Sequence, residues 1–227
     1  PNGAGKSSLL RILAGLTRRV NGSVSLNGRS ISNYQTLELA TVRAWLAQTH
    51  TLDFNFSAIK TVQLGRGPWQ PESAVTSHKV AFKNLQVCDA AHLAERFYPE
   101  LSGGEQQRVQ LARIFTQVKQ TISNGWLLLD EPCNALDPAH QFEILKHLKL
   151  LCSQGAGVVC SMHDLPLAAA YFDRIIVIQN GEIITDNSPD LALSKNTILK
   201  VFGVSGHWKY GALTLAASKP KSPEHGG

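Results

Sequence analysis

The run Pro1-Asn2-Gly3-Ala4-Gly5-Lys6-Ser7-Ser8 has the residue types and spacing to hold a phosphate. Its glycines allow backbone N–H groups to converge on phosphate oxygens. A helix opening at Lys6 would add its positive N-terminal end. Lys6 would supply a point charge to the β- and γ-phosphates of a nucleotide, and Ser7 a hydroxyl to Mg²⁺. The run matches G-x-x-x-x-G-K-[ST] from its second position onward, so a glycine is expected ahead of Pro1. Taken alone, it could also be a glycine-rich turn before a helix that carries a lysine.

A second signal is the apolar run Trp126-Leu127-Leu128-Leu129, ending in Asp130-Glu131. A run apolar on both faces suits a buried parallel strand. Asp130 at its end would hold Mg²⁺ through water. Glu131 would point elsewhere and could take a proton from an attacking water. Apolar strands often end in acids, so the motif is weak by itself. In a chain that also carries a phosphate loop it points to nucleotide chemistry at the carboxyl ends of parallel strands.

The surrounding pattern supplies elements to position these groups. Leu9, Leu10, Ile12, Leu13 and Leu16 recur at helical spacing after the loop. Residues 22–26 alternate into Asn27-Gly28, a strand and hairpin signal, and 43–48 read as a short strand. Helices are expected over 57–64, 73–87 and 90–97, with Gly65, Gly67, Pro68 and Pro71 separating the first two. A long helix should follow Leu101-Ser102-Gly103-Gly104. Beyond the Asp130 strand come a helix over 138–154, a strand over 157–162 ending at His163, and a helix over 165–171. A strand over 174–178 and the turn Asn180-Gly181 into 182–185 complete the series. Strands alternating with helices predict a mostly parallel α/β sheet. After Phe202 the chain turns Gly-, Ser-, Lys- and Pro-rich, so 204–227 are expected to form a loose extension.

Composition narrows the class. In 227 residues, 43% are hydrophobic and 17% charged, ordinary for a globular protein and wrong for a disordered one. No apolar run approaches the roughly 18 residues that span a bilayer. Cys88, Cys133, Cys152 and Cys160 form no C-x-x-C pair, which argues against zinc or a redox motif and for thiols in a reducing compartment. No charged-then-apolar leader argues for secretion. The net charge of +5 is scattered rather than gathered into a run, which suits a solvated surface working near a membrane face rather than nucleic acid.

The segment Leu101-Ser102-Gly103-Gly104-Glu105-Gln106-Gln107 resembles the signature sequence of ABC ATPases. Alone it could be a capped helix, Ser102 as cap and Glu105 as its partner, and both readings can hold. The chain also has Lys6, Gln48, the signature, Asp130-Glu131, Ala135-Leu136-Asp137 and His163 in that order. That is the order of phosphate loop, Q-loop, signature, Walker B, D-loop and H-loop in the family, and the resemblance covers residues 1 to 203. It implies a P-loop NTPase core with an inserted helical lobe: core over 1–53 and 118–203, lobe over 54–117. It implies ATP and Mg²⁺ as cofactors and a head-to-tail homodimer. Residues 1–8 of one subunit and Ser102, Gly103 and Gly104 of the other would enclose each ATP. Ser102 and Gly104 would meet the γ-phosphate in trans, and His163 in cis. Gln48, with Ser7 and Asp130, would attend Mg²⁺, and Gln48 would report nucleotide state to the lobe. Asp137 of the D-loop would join the nucleotide site, while Lys6, Glu131 and His163 carry the catalysis. Cys133 and Asn134 replace the family's usual Thr and Ser, with little loss expected. The chain starts inside its first motif, so the expectation is that the N-terminal strands and an adenine-stacking aromatic precede it.

Three stretches resemble the importers of iron chelates, haem and vitamin B12: FNFSAIKTVQLGRGPW after the Q-loop, QVKQTISNGW before Walker B, and DNSPDLALSKNTILKVFGV. Haem is the cargo this resemblance favours, with siderophores or vitamin B12 as alternatives. The implied partners are two copies of a multi-span permease and, indirectly, a periplasmic haem-binding protein. The implied place is the cytoplasmic face of the inner membrane, held peripherally. A soluble ABC ATPase acting on DNA or ribosomes is a competing class. It would typically carry coiled-coil arms or a second cassette, and the chain shows neither. A fragment that binds partners without hydrolysis is a third reading.

Overall fold

A computed structural model describes residues 1–17, 21–48, 55–118 and 124–217. It divides into two compact units, residues 7–162 and residues 1–6 with 163–227.

The unit of residues 7–162 is built on a parallel sheet. Helix α1 (Lys6–Leu13) buries Leu10, which packs with Ala14 and Leu128; Leu13, Trp45 and Val159 surround them. Strands β1 (Ser25–Leu26) and β2 (Arg29–Ser30) pair antiparallel around Asn27-Gly28. Both turn residues have positive φ, 52° and 76°, the pair that a tight two-residue hairpin demands. Asn27 also accepts from Trp126 Nε1 at 2.9 Å and donates to the Asn124 carbonyl at 2.9 Å. The hairpin turn therefore anchors the start of the Asp130 strand. Helix α2 (Thr36–Val42) leads directly into β3 (Arg43–Leu46).

Helices α3 (Ala58–Gln63), α4 (Ala74–Val87) and α5 (Gly103–Gln117) pack on one another. Gly65 allows the chain after α3 to approach α5, because a Cβ there would strike the Arg113 carbonyl. The helix expected over 90–97 is not formed; only a 3₁₀ turn, Ala91–Leu93, appears. The backbone has other partners. The carbonyls of Ala94 and Arg96 accept from Ile59 and Ala58 N–H, both at 2.9 Å, and Tyr98 N–H donates to the Phe56 carbonyl. The segment thus satisfies the first N–H groups of α3, which have no partner within their own helix.

Strand β4 (Trp126–Asp130), helix α6 (Pro138–Ser153) and strand β5 (Gly157–Ser161) complete this unit. The sheet order is β3-β4-β5, all parallel, with Leu46 opposite Leu129 and Asp130 opposite Ser161. Leu46, Leu127 and Leu129 are wholly buried, so the apolar run does form an inner strand. Gly157 faces the Trp126 ring, where a Cβ would come within 2.5 Å.

In the second unit, α7 (Leu165–Tyr171) precedes the antiparallel pair β6 (Ile175–Gln179) and β7 (Glu182–Asn187), joined at Asn180-Gly181. Short α8 (Pro189–Ala192) and α9 (Lys195–Phe202) follow, and Gly203 ends α9 at φ 71°. The extension expected to be loose is ordered over 204–217. Strands β8 (Val204–Lys209) and β9 (Ala212–Ala217) form a hairpin around Tyr210-Gly211. Leu213 is buried with Leu165, Val177, Leu193, Ile198 and Val201, and Val204 and Trp208 pack against them. Trp208 Nε1 donates to the Leu193 carbonyl at 3.0 Å. The polar composition hid an apolar side of the hairpin. Residues 218–227 lie outside the described residues.

Candidate functional site

The phosphate-loop run forms turns up to Gly5, and α1 then opens at Lys6. Gly3 and Gly5 have φ 71° and 104°, where a side chain would be strained. Lys6 Nζ donates to the Pro1 carbonyl at 2.6 Å, so the ammonium folds back across the loop. Buried Ala4 accepts from Gly181 N–H at 2.9 Å, and this bond ties the loop to the β6–β7 turn. The first turn of α1 holds no acidic residue to offset its positive end. Asn2, Gly3 and Ser8 are exposed, and Pro1, Gly5, Lys6 and Ser7 are half-buried.

Gln48, Asp130 and Glu131 lie at the carboxyl ends of adjacent parallel strands, the edge where open α/β sheets bind ligands. Gln48 is exposed, two residues past β3. Asp130 is 2% exposed, and its Oδ1 accepts from the Ser161 hydroxyl at 2.5 Å. Glu131 leaves the strand at φ 52°, and its N–H donates to Ser161 Oγ at 2.9 Å. Asp130 is thus held within the sheet, while the backbone turns away from the strand direction at Glu131. Among the described residues no cluster of three or more His, Cys, Asp or Glu could hold a metal. The groups that the sequence assigns to a cation are the Ser7 hydroxyl, the Gln48 amide and the Asp130 carboxylate. They are hard oxygens that suit a cation drawing its other ligands from phosphate and water.

The Ser102 side chain accepts from Glu105 N–H at 3.4 Å while Glu105 Oε2 accepts from Ser102 N–H at 2.8 Å, so the capping box is present. That backbone bond is the main cause holding the Glu105 carboxyl below the ordinary range. Ser102 and Gly103 are exposed. Gly104 sits against the loop after β4, where a Cβ would be 2.7 Å from the Ala135 carbonyl. Gln107 Nε2 donates to the Pro132 carbonyl at 2.9 Å, fastening α5 to the same loop.

Asp137 caps α6, accepting from His140 N–H at 3.0 Å and meeting His140 Nδ1 at 2.7 Å. The backbone bond is the first cause holding its carboxyl below the usual range. His140 Nε2 meets Asp89 at 3.1 Å and Arg108 of α5, so the Asp137 loop is linked to the signature helix. His163 is exposed immediately before Asp164, the residue capping α7, and belongs to the unit of residues 1–6 and 163–227.

Within residues 7–162, then, Asp130 and Glu131 are brought together on Ser161, and Gly104 on the Ala135 loop. The other unit joins the phosphate loop to the Asn180-Gly181 turn. Sequence reasoning missed Ser161, Gln107, His140 and the second role of Gly181. A polar residue inside the otherwise apolar 157–161 strand was the available signal for Ser161.

A sequence profile described as "ABC transporter" matches residues 1–134. The hemin import ATP-binding protein of Pseudoalteromonas translucida is 39% identical over 209 residues, 90% of this chain and 80% of that protein. That of Gloeobacter violaceus is 42% identical over 207 residues, 90% of this chain and 75% of that protein. Among solved structures, a dimeric ATP-binding cassette in a post-hydrolysis state with ADP and phosphate is 27% identical at TM-score 0.73; the match covers 83% of this chain and 82% of that one. A metal-chelate type ABC transporter in an inward-facing conformation matches at TM-score 0.74 over 96% of this chain and 85% of that one. At 23% identity it speaks to the fold alone.

Proposed function

The chain belongs to the ABC transporter family, and from that premise we propose that it is the ATP-hydrolysing subunit of an importer whose cargo is haem. ATP binding and hydrolysis are the family's activity and are this chain's. The observation that carries the cargo is the similarity, near 40% over about nine-tenths of the chain, to proteins named for hemin import.

The proposed chemistry follows from the residues. Loop residues 1–8 bind the nucleotide phosphates through backbone N–H groups, with the charge of Lys6 and the open end of α1 favouring the anion. Ser7, Gln48 and Asp130 offer oxygens to Mg²⁺, which when bound offsets phosphate charge. Glu131, where the backbone leaves the strand, accepts a proton from the attacking water. His163 orients the γ-phosphate. Ser102, Gly103 and Gly104 serve the nucleotide of a second copy in a head-to-tail dimer, and Asp137 lies in the loop that Gly104 touches. The division into a core over 1–53 and 118–203 and a helical lobe over 54–117 belongs to the same proposal, as do two copies of a membrane permease and a periplasmic haem-binding protein. In this reading the subunit is peripheral at the cytoplasmic face of the inner membrane. Among the described residues no helix is long and apolar enough to cross a membrane.

Growth on hemin as the sole iron source tests the cargo. A strain that carries the cognate permease but lacks this ATPase should regain such growth with the wild-type gene and not with Glu131→Gln. Restored growth on a ferric siderophore and not on hemin would refute the haem assignment.

A further inference from the structure

We propose that Ser161 is a positioning residue for hydrolysis, its hydroxyl holding both the Asp130 carboxylate and the Glu131 backbone in their working arrangement. The inference rests on the reading above, in which Asp130 serves the metal and Glu131 the water.

Ser161 is 4% exposed and stands opposite Asp130 across the β4–β5 ladder, itself 2% exposed. The strand around it is Gly157-Val158-Val159-Cys160, so packing alone would accept an apolar residue there. A buried hydroxyl is costly unless it is bonded. This one is bonded twice: it donates to Asp130 Oδ1 at 2.5 Å and accepts from Glu131 N–H at 2.9 Å. An ionised carboxylate can only accept and a backbone N–H can only donate. The hydroxyl proton therefore has one direction, and a single atom, Oγ, fixes two neighbours. The first bond holds Oδ1 and so sets the orientation of the carboxylate that, in the proposed function, would serve Mg²⁺. The second satisfies the N–H at the point where Glu131 departs from the strand with φ 52°. Without the hydroxyl, Asp130 Oδ1 and the Glu131 N–H would each lose this bond beside the reacting groups.

The test compares Ser161→Val with Ser161→Thr in the subunit, two side chains of nearly one shape that differ by the hydroxyl. Three quantities are measured: kcat, Mn²⁺ affinity with a non-hydrolysable ATP analogue, and hydrogen exchange of the Glu131 amide. Loss of a residue that orients a metal ligand typically costs about 10- to 100-fold. Ser161→Val should lower kcat and Mn²⁺ affinity by roughly that factor and speed exchange at Glu131. Ser161→Thr should restore all three. If Ser161→Val does not fold, Ser161→Ala takes its place. Equal impairment of the Val and Thr variants would overturn the proposal, since volume and not the hydroxyl would then matter. So would a Val variant with unchanged kcat and Mn²⁺ affinity beside an inactive Glu131→Gln control. If Glu131→Gln itself turns over like wild type, the underlying reading of Glu131 fails and this proposal falls with it.

Discussion

Glu131 adopts a backbone conformation that most residues avoid, φ 52°, and such a conformation costs about 1–3 kcal/mol. The surroundings that hold it include the Ser161 hydroxyl on its N–H. The result is a backbone that breaks from the strand directly after Asp130. In the proposed role, Glu131→Gln keeps the shape and removes the proton acceptor. Hydrolysis should fall about 10²- to 10⁴-fold with ATP binding retained, as read by phosphate release and nucleotide binding. Turnover within twofold of wild type would remove Glu131 from that role. Asp130 and Glu131 were legible because an acid pair after an apolar strand is a pattern along the chain. Ser161 was not, because its partner Asp130 lies 31 residues away and meets it only through strand register.

Among the elements, α5 shows how closely the signature segment is fitted. Gly104 and Gly103 are neighbours with opposite surroundings. A Cβ on Gly104 would lie 2.7 Å from the Ala135 carbonyl, whereas nothing lies within 4 Å of one on Gly103. Gly104→Ala must displace backbone and should cost about 1–3 kcal/mol in denaturant unfolding. Gly103→Ala, in the first turn of a helix, should unfold no earlier than wild type. Equal stability of the two variants would contradict the close fit. Helices α4, α5, α6 and α7 could be anticipated because caps and apolar spacing are local: Ser73, Ser102, Asp137 and Asp164 each cap one. The stretch over 90–97 could not, because its Ala94 and Arg96 carbonyls are taken by the first N–H groups of α3, while Ala90, Ala91 and Leu93 close only short turns within it.

On the scale of the molecule, the parallel β3-β4-β5 sheet was written in buried apolar runs and their alternation with helices. The β8–β9 hairpin escaped notice because composition was weighed there instead of alternation. Gly206 and Leu213 face inward while His207, Lys209 and Ala212 face out. Gly206 also leaves room for Ile198, which a side chain would strike. The cargo is the least legible property, since the residues assigned to ATP are assigned by nucleotide chemistry alone. It follows instead from similarity to hemin import proteins. Hemin uptake into vesicles bearing the cognate permease and binding protein reads out haem import driven by ATP hydrolysis in this chain. Hemin should cross the membrane only with this subunit and Mg-ATP present, and not with Glu131→Gln. Equal uptake without ATP, or ATP-driven uptake of a siderophore or vitamin B12 but not hemin, would contradict it.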